Sequence, residues 1–204
     1  KEGNRMTNSS IYNNQSFQHI LAITEEIILE KGCRNTTLKD IIERSGLSKG
    51  AIYHYVESKD ELFGLILKSK IEEMNETFHQ AITQSIKDET TENKSFSVVS
   101  QFFNSRQNPY DTGNLIFIYL LSQDNEKVKK ILQDIFKYTK ELGTKWIKLG
   151  QENAIIPANI DAEKMSTLMM TFSYGIRVTQ ILSADEKDKV NMNDIFKVIS
   201  KILT

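Results

Sequence analysis

Apolar residues recur every three or four positions along most of this chain, which is the spacing that places side chains on one face of an α-helix. The stretch from Ser16 to Lys31 is the clearest example, and Gly32 stands where a glycine commonly ends a helix. Its apolar stripe consists of Phe17, Ile20, Leu21, Thr24, Ile27 and Ile28. No segment shows the period-two alternation typical of a half-buried strand, so the pattern predicts an all-α fold.

Shorter helices are predicted where capping residues interrupt the apolar pattern. A sequence typical of a capping box begins at Thr37, and Gly46 permits a sharp turn after the helix that it opens. Ser48 can cap a third short helix ending near Tyr55, and a full capping box at Ser58 opens a much longer helix. Later helices are predicted near Ser58–Ile86, Ser95–Gln107, Gly113–Gln123, Asn125–Glu152, Asp161–Leu182 and Asn191–Leu203, with a polar loop at Lys87–Lys94.

Composition narrows the class of protein without identifying a partner. Hydrophobic residues make up 39% of the 204 positions, charged residues 26%, and the formal net charge is -1, all ordinary for a globular protein. No apolar run reaches the ~18 residues of a membrane span, so we expect no membrane association. The single cysteine, Cys33, excludes an intrachain disulfide and suits a reducing cytoplasm, where we expect the protein to act.

The stretch SGLSKGAIYHYVESKDEL, from Ser45 to Leu62, carries the candidate chemistry. Two short helices joined by a tight glycine turn form a helix-turn-helix, whose second helix enters the major groove of DNA. Gly50 and Ala51 are small enough to let that helix approach DNA closely. Hydroxyls, a charge and rings that suit phosphates and base edges come from Ser48, Lys49, Tyr53, His54 and Tyr55. The sequence therefore predicts double-stranded DNA as a partner.

The segment TTLKDIIERSGLSKGAIYHYVESKDELFGLIL resembles the DNA-binding domain of the TetR family of bacterial transcriptional regulators. The resemblance covers roughly Ile20 to Leu67, and it is specific because residue types and spacings agree together. The matching positions are Thr36, Thr37, Ile41, Ser45, Gly46, Leu47, Ser48, Gly50 to Tyr53, Tyr55 and Ser58 to Leu62.

The resemblance also implies roles for individual side chains. Thr37 and Lys59 match family positions that contact DNA phosphates, and Tyr55 matches a position with a mixed packing and phosphate role. The recognition-helix positions that face DNA in the family correspond to Lys49, Gly50, Ala51, Tyr53 and His54.

The chain departs from the family pattern in two places. No Lys or Arg occurs between Arg5 and Lys31, where many members carry basic residues that contact DNA, and Cys33 stands where the family often has an aromatic core residue. The stretch from Lys31 to Lys70 has eight basic and five acidic residues. Because one copy with so small a positive excess would bind DNA weakly, we expect a homodimer, which doubles the phosphate contacts.

The predicted organisation is a flexible N-terminus at residues 1–15, a three-helix helix-turn-helix domain at 16–64 and a helical bundle for effector binding and dimerisation at 65–204. The predicted helices at 161–182 and 191–203 carry apolar residues suited to a dimer interface. Abundant aromatic and Met side chains suit an apolar effector cavity, although ordinary core packing would use the same residues. The candidate cavity residues are Phe102, Phe103, Phe117, Tyr119, Trp146, Met169, Phe172 and Arg177.

These features predict a repressor that an apolar small molecule releases from a palindromic operator. The alternative is a constitutive DNA-binding or interaction module without an effector. No catalytic set of residues stands out, so we expect neither an enzyme nor a cofactor. The three histidines, His19, His54 and His79, lack neighbours at metal-ligand spacing, so we expect no metal site. Cys33 is either a core residue or a redox switch.

Overall fold

The computed structural model describes residues 14–87, 111–153 and 156–183, together with residues 190, 191, 194, 195 and 198. These residues contain α-helices and no strand, which confirms the predicted all-α class for the described part of the chain. The helices are α1 (Gln15–Asn35), α2 (Leu38–Ser45), α3 (Lys49–Tyr55), α4 (Lys59–Lys87), α5 (Thr112–Leu121), α6 (Glu126–Glu152) and α7 (Ala162–Leu182). The predicted helix at 95–107 and most of that at 191–203 lie outside the described residues.

Capping side chains mark the starts of these helices. Thr37 forms the predicted capping box with Asp40 at the start of α2, and Ser48 caps α3 by accepting a hydrogen bond from the Ala51 amide. The helix α1 runs one turn past its predicted end, but Gly32 breaks its geometry with φ 78° and ψ 161°. The glycine therefore interrupts the helix where the sequence predicts an end.

Residues 14–70 and 111–135 form one compact unit. Its core receives side chains from α1 to α6, and it contains the apolar stripe predicted for α1. The fully buried core side chains are Phe17, Ile20, Ile27, Ile28, Ile41, Ile52, Val56, Leu62, Phe63, Ile66, Ile116 and Leu120. Burial of each stabilises the fold by roughly 1.5–3 kcal/mol before the entropy of ordering is subtracted. The core therefore fixes the short helices α2 and α3.

The turn between α2 and α3 depends on a glycine. Gly46 adopts φ 69°, a left-handed conformation that L side chains rarely take, and it ends α2. Ser48 then begins α3, and Ile52 from this helix is fully buried in the core. This anchor determines which face of α3 remains exposed.

A second compact unit contains residues 71–87 and 136–183 among those described. It holds a small apolar cluster in which Phe78 packs with Met74, Trp146 and Leu149. A Cβ atom added at Gly143 of α6 would lie 2.5 Å from the Ser166 Oγ of α7, so the two helices approach closely at this glycine.

The helices α4 and α6 contribute residues to both compact units. The predicted functional boundary after residue 64 stays a prediction, because the compact units describe packing rather than function. Among the described helices, none combines the length and the apolar character needed to cross a membrane.

Candidate nucleic-acid interface

The helix α3 presents the predicted DNA-facing side chains on its surface. Lys49, Gly50, Tyr53 and His54 are exposed, whereas Ala51 is half-buried. The Lys49 ammonium lies 5.5 Å from the centroid of the Tyr53 ring, so a positive charge and an aromatic face occupy one patch. Such a patch can bind phosphate and base edges together.

Tyr55 belongs mainly to the packing side of α3. Its ring centroid is 5.0 Å from that of Phe17 in α1, and the side chain is half-buried against the core of the first unit. The exposed His54 ring meets Tyr55 edge-on at 5.3 Å. Tyr55 therefore packs α3 against α1, and its predicted phosphate contact stays a prediction.

The start of α2 is already occupied by a carboxylate. The Asp40 Oδ2 accepts hydrogen bonds from the Thr37 hydroxyl at 2.6 Å and the Thr37 amide at 2.8 Å, and it pairs with the Lys31 Nζ at 2.7 Å. The bonds from Lys31 and Thr37 lower the pKa of Asp40 to about 2. The predicted phosphate contact of Thr37 stays a prediction, and its hydroxyl proton is directed at Asp40.

Lys59 lies where α1 ends and α4 begins. Its Nζ donates to the carbonyl oxygens of Cys33, Arg34 and Thr36 at 3.1, 3.1 and 3.0 Å. The same ammonium lies 5.1 Å from the centroid of the Tyr119 ring. The sequence places Lys59 at a phosphate position but gives no sign of these contacts, which join residues more than 20 positions apart.

The sequence does not predict a second polar cluster, which lies around Lys70. The Lys70 Nζ of α4 pairs with Glu25 of α1 at 2.7 Å and with Asp111 at 3.6 Å. The Thr112 hydroxyl donates to the same Glu25 carboxylate. One signal for the cluster exists in the sequence, since Lys70 falls among the apolar positions Ile66 and Met74 of its helix. These bonds tie α5 to α1 and α4 within the first unit.

The predicted effector residues do not all lie in one unit. Phe117 and Tyr119 pack against the core of the first unit, and the Tyr119 hydroxyl donates to the Asp60 Oδ1 at 3.2 Å. Burial, with the nearby Asp60 carboxylate, raises the pKa of Tyr119 to about 12. The second unit contains Trp146, Met169, Phe172 and Arg177, whereas Phe102 and Phe103 lie outside the described residues.

Within the second unit, Trp146 is the best-defined member of the predicted effector set. Its ring stacks on Phe78 at 4.4 Å between centroids, and its indole N–H donates to the Asn75 Oδ1 at 2.8 Å. In the same unit, burial raises the pKa of the Tyr174 hydroxyl, and the positive charge of Arg177 opposes this shift. The cavity residues stay a prediction, but Trp146 combines an apolar face with a fixed polar partner.

Cys33 is buried in the first unit, and burial raises the pKa of its thiol to about 11. A thiol with so high a pKa contains little of the reactive thiolate near neutral pH, which favours the core interpretation over the redox switch. Among the described residues, no group of three or more His, Cys, Asp or Glu side chains could hold a metal ion.

Comparison with known proteins identifies the N-terminal region. Residues 20–66 match the family model for bacterial regulatory proteins of the tetR family. The chain is 35% identical over 81 residues to the uncharacterized HTH-type transcriptional regulator YfiR of Bacillus subtilis. It is 31% identical over 67 residues to the HTH-type transcriptional repressor NemR of Escherichia coli. These matches cover 36% and 33% of the chain, and only 40% of YfiR and 32% of NemR.

Similarity of fold extends over nearly the whole chain. The crystal structure of reduced Escherichia coli NemR matches 94% of this chain and 99% of its own with a TM-score of 0.65, at 14% identity. The structure of the transcriptional regulator FadR of Bacillus subtilis with stearoyl-CoA matches 92% of this chain and 97% of its own with a TM-score of 0.61, at 18% identity. At these identities the likeness shows the fold alone. The named relatives are described as transcriptional regulators.

Proposed function

We propose that this chain, a member of the TetR family of bacterial transcriptional regulators, is a repressor that binds a near-palindromic operator as a homodimer and leaves it when an apolar small molecule binds. The observation that carries the proposal is the surface of α3. Lys49, Tyr53 and His54 are exposed there, while Ile52 anchors the opposite face in the core. A short helix held in this way can enter a major groove without losing its orientation.

Two kinds of contact to DNA are proposed. Side chains and backbone from the start of α3 approach base edges and phosphates. The small side chains of Gly50 and Ala51 allow this part of the helix to come close to the DNA. Thr37, at the start of α2, and Tyr55, at the end of α3, are proposed for the phosphate side, and Lys59 lies at the start of α4. The residues proposed to lie at the DNA are Thr37, Ser48, Lys49, Gly50, Ala51, Tyr53, His54, Tyr55 and Lys59.

The proposed dimer interface is a stripe of α7. Leu168, Val178 and Leu182 are 49%, 53% and 78% exposed, and their spacing puts them on one helical face. Gly175 lies on the same face, and a Cβ atom there would meet nothing within 4 Å. The opposite face supplies Met170 and Ser166 to the interior of the second unit. A helix that is apolar on an exposed face as well as a buried one suits a partner subunit.

An effector would act through the spacing of the two recognition helices. In a dimer, these helices must lie about 34–36 Å apart to enter successive major grooves. The helix α4 contributes to both compact units, so a ligand in the second unit could change that spacing through it. Only a ligand that binds the two spacings with different affinities would shift the population. The FadR structure with stearoyl-CoA adds acyl thioesters to the apolar compounds worth testing.

Selection of double-stranded DNA from a random pool tests the DNA-binding claim. We expect a near-palindromic sequence to be enriched, and we expect Lys49→Ala and Tyr53→Ala to lower discrimination between it and random DNA by about 1–3 kcal/mol. Lys39→Ala is the matched control, because Lys39 is highly exposed on α2 and pairs only with Glu43, at 3.7 Å, among the ion pairs of the described residues. Equal losses for Lys39→Ala and Lys49→Ala would contradict the proposed recognition surface.

Sedimentation of the full chain tests the dimer. We expect the wild type to be dimeric at micromolar concentration and Val178→Asp to be monomeric, because a carboxylate in an apolar interface has no counter-charge. Leu29→Asp, at an exposed apolar position of α1, should leave the dimer intact. A monomeric wild type would sink this part of the proposal.

Titration of hydrophobic cations, neutral aromatics, fatty acids and acyl-CoA against the protein–DNA complex tests the effector. We expect at least one class to release the DNA, and a Trp146→Leu variant to need more of it. Release by none of these classes would leave the alternative, a constitutive DNA-binding or interaction module.

A further inference from the structure

The ammonium group of Lys59 has its hydrogen-bonding capacity filled by the protein itself. A lysine carries three N–H donors, and its Nζ lies within 3.0–3.1 Å of the carbonyl oxygens of Cys33, Arg34 and Thr36. Carbonyls in the last turn of a helix lack helical donors and form the negative end of its dipole. A single cation therefore satisfies the end of α1 from the first turn of α4.

Aromatic rings complete the surroundings of this cation. Its Nζ lies 5.1 Å from the Tyr119 ring centroid and 5.9 Å from that of Phe63. These two rings meet edge-on at 5.5 Å, and the Tyr119 hydroxyl donates to Asp60, the next residue after Lys59. Ring faces attract cations without offering a competing hydrogen-bond acceptor, so they hold the ammonium against the carbonyls.

We propose that Lys59 is a positioning residue for DNA binding, fixing the end of α1 against α4, and that Tyr119 holds it in place. The carbonyls that it binds lead directly into Thr37, the N-cap of α2, and hence into the helix-turn-helix. Loss of the cation would release this connection and change the direction of α2 and α3. This inference rests on the proposed DNA-binding function, since it concerns how the exposed face of α3 is kept in position.

A direct phosphate contact is the competing role. To reach a phosphate, the Nζ would have to give up at least one carbonyl, which would be left without this donor at a half-buried site. The two roles differ in their response to arginine. Arg binds phosphate at least as well as Lys, but its planar fork cannot place three donors around one nitrogen position.

The experiment uses the full-length wild type with Lys59→Met, Lys59→Arg and Tyr119→Leu variants. Two controls are included: Lys39→Met removes an exposed charge, and Ile66→Val weakens the same core without touching Lys59. Amide hydrogen exchange of the free protein is measured at residues 33–37. Affinity for the double-stranded DNA that the wild type selects from a random pool is measured over a series of salt concentrations.

We expect Lys59→Met and Lys59→Arg alike to accelerate exchange at residues 33–37 and to weaken DNA binding about tenfold or more. The salt dependence of binding should stay that of the wild type. Tyr119→Leu should move both quantities in the same direction by a smaller factor. Ile66→Val, although destabilising, should leave the DNA affinity of the folded protein unchanged, which separates positioning from loss of stability.

Two results would overturn the inference. One is restoration of wild-type affinity by Lys59→Arg. The other is unchanged exchange in Lys59→Met with a slope of log affinity against log salt reduced by about 0.9 for each phosphate lost. A wild type that selects no DNA would instead overturn the proposed function. The exchange arm, measured on the free chain, would still decide whether Lys59 holds the end of α1.

Discussion

In the first compact unit, apolar side chains from six helices are buried in one core, and ion pairs and helix caps connect the helices at its surface. The second unit has a smaller cluster around Phe78 and Trp146, and a helix, α7, with exposed apolar residues. The largest fully buried side chains among the described residues all belong to the first unit.

This difference follows the demands of the two proposed tasks. A helix that reads DNA must keep its position and orientation in the groove. The core that holds α3 is therefore closely packed, and few other side chains would fit at its positions. A unit that binds an effector and a second subunit needs only a helical scaffold with adaptable apolar surfaces. The family model accordingly matches residues 20–66, within the first unit, whereas likeness of fold extends to at least 92% of the chain.

The largest expected effect comes from a matched pair of substitutions, Phe63→Ala and Phe78→Ala. Phe63 is 0% exposed in the core of the first unit, so Phe63→Ala should lower the unfolding free energy by about 3–5 kcal/mol. Phe78, 4% exposed, has partly buried neighbours that can relax into the space, so it should cost less. Urea denaturation followed by circular dichroism measures both. A larger cost for Phe78→Ala would break the comparison between the units.

The next effect concerns the tight approach of α6 and α7 in the second unit. Gly143→Ala should destabilise the protein by about 1–3 kcal/mol, because the added methyl would lie 2.5 Å from the Ser166 Oγ. Adding Ser166→Ala removes that oxygen and leaves the Ser166 Cβ position at 3.5 Å, an ordinary contact, so the double variant should recover stability. The thermal unfolding midpoint reports the result. Absence of recovery would mean that the second unit is packed as rigidly as the first.

A smaller effect is a change in how stability depends on pH. The pKa of Asp40, lowered to about 2 by Lys31 and Thr37, lies below its unfolded value of about 4. Its stabilising contribution is therefore complete above about pH 4 and is lost as the pH falls through about 2. Asp40→Asn should flatten the dependence of unfolding free energy on pH in this window. Glu43→Gln, on the same helix, is the control; an equal flattening there would refute the assignment to Asp40.

The smallest effect on the fold is expected from probing Cys33. Because burial raises the pKa of its thiol to about 11, alkylation by iodoacetamide at pH 8 should be slow in the folded protein and much faster in urea. The folded-state rate should rise with pH towards about 11. Rapid alkylation at pH 8 without denaturant would show that the first unit opens readily, and it would revive the redox interpretation.

The sequence predicts the short helices and their caps well, because these features depend on local interactions, whereas the DNA-binding role of the exposed α3 residues stays a prediction. Capping at Thr37 and Ser48, the left-handed turn at Gly46 and the three-four spacing of Phe17 to Ile28 all depend on residues close together in the chain. The contacts of Lys59 and Tyr119 could not be predicted in this way. Those that join Lys59 to the end of α1 and to Tyr119, and Tyr119 to Asp60, span 23–60 positions of the chain, and only the packed core brings these residues together.

The predicted effector set illustrates the same limit. Composition alone groups these residues together, but Tyr119 packs in the first unit, where its hydroxyl donates to Asp60, and Trp146 packs in the second, where its indole N–H donates to Asn75. Composition indicates that apolar surface must be buried, but it does not indicate against which partner.

The placement of Trp146 also gives the protein an internal optical reporter. It is the only tryptophan in the chain, and it lies in the second unit, stacked on Phe78. Excitation at the red edge of protein absorbance therefore reports on the second unit, whereas far-ultraviolet ellipticity averages over every helix. If the emission of Trp146 changes at a lower urea concentration than the ellipticity, the two units do not unfold as one cooperative body.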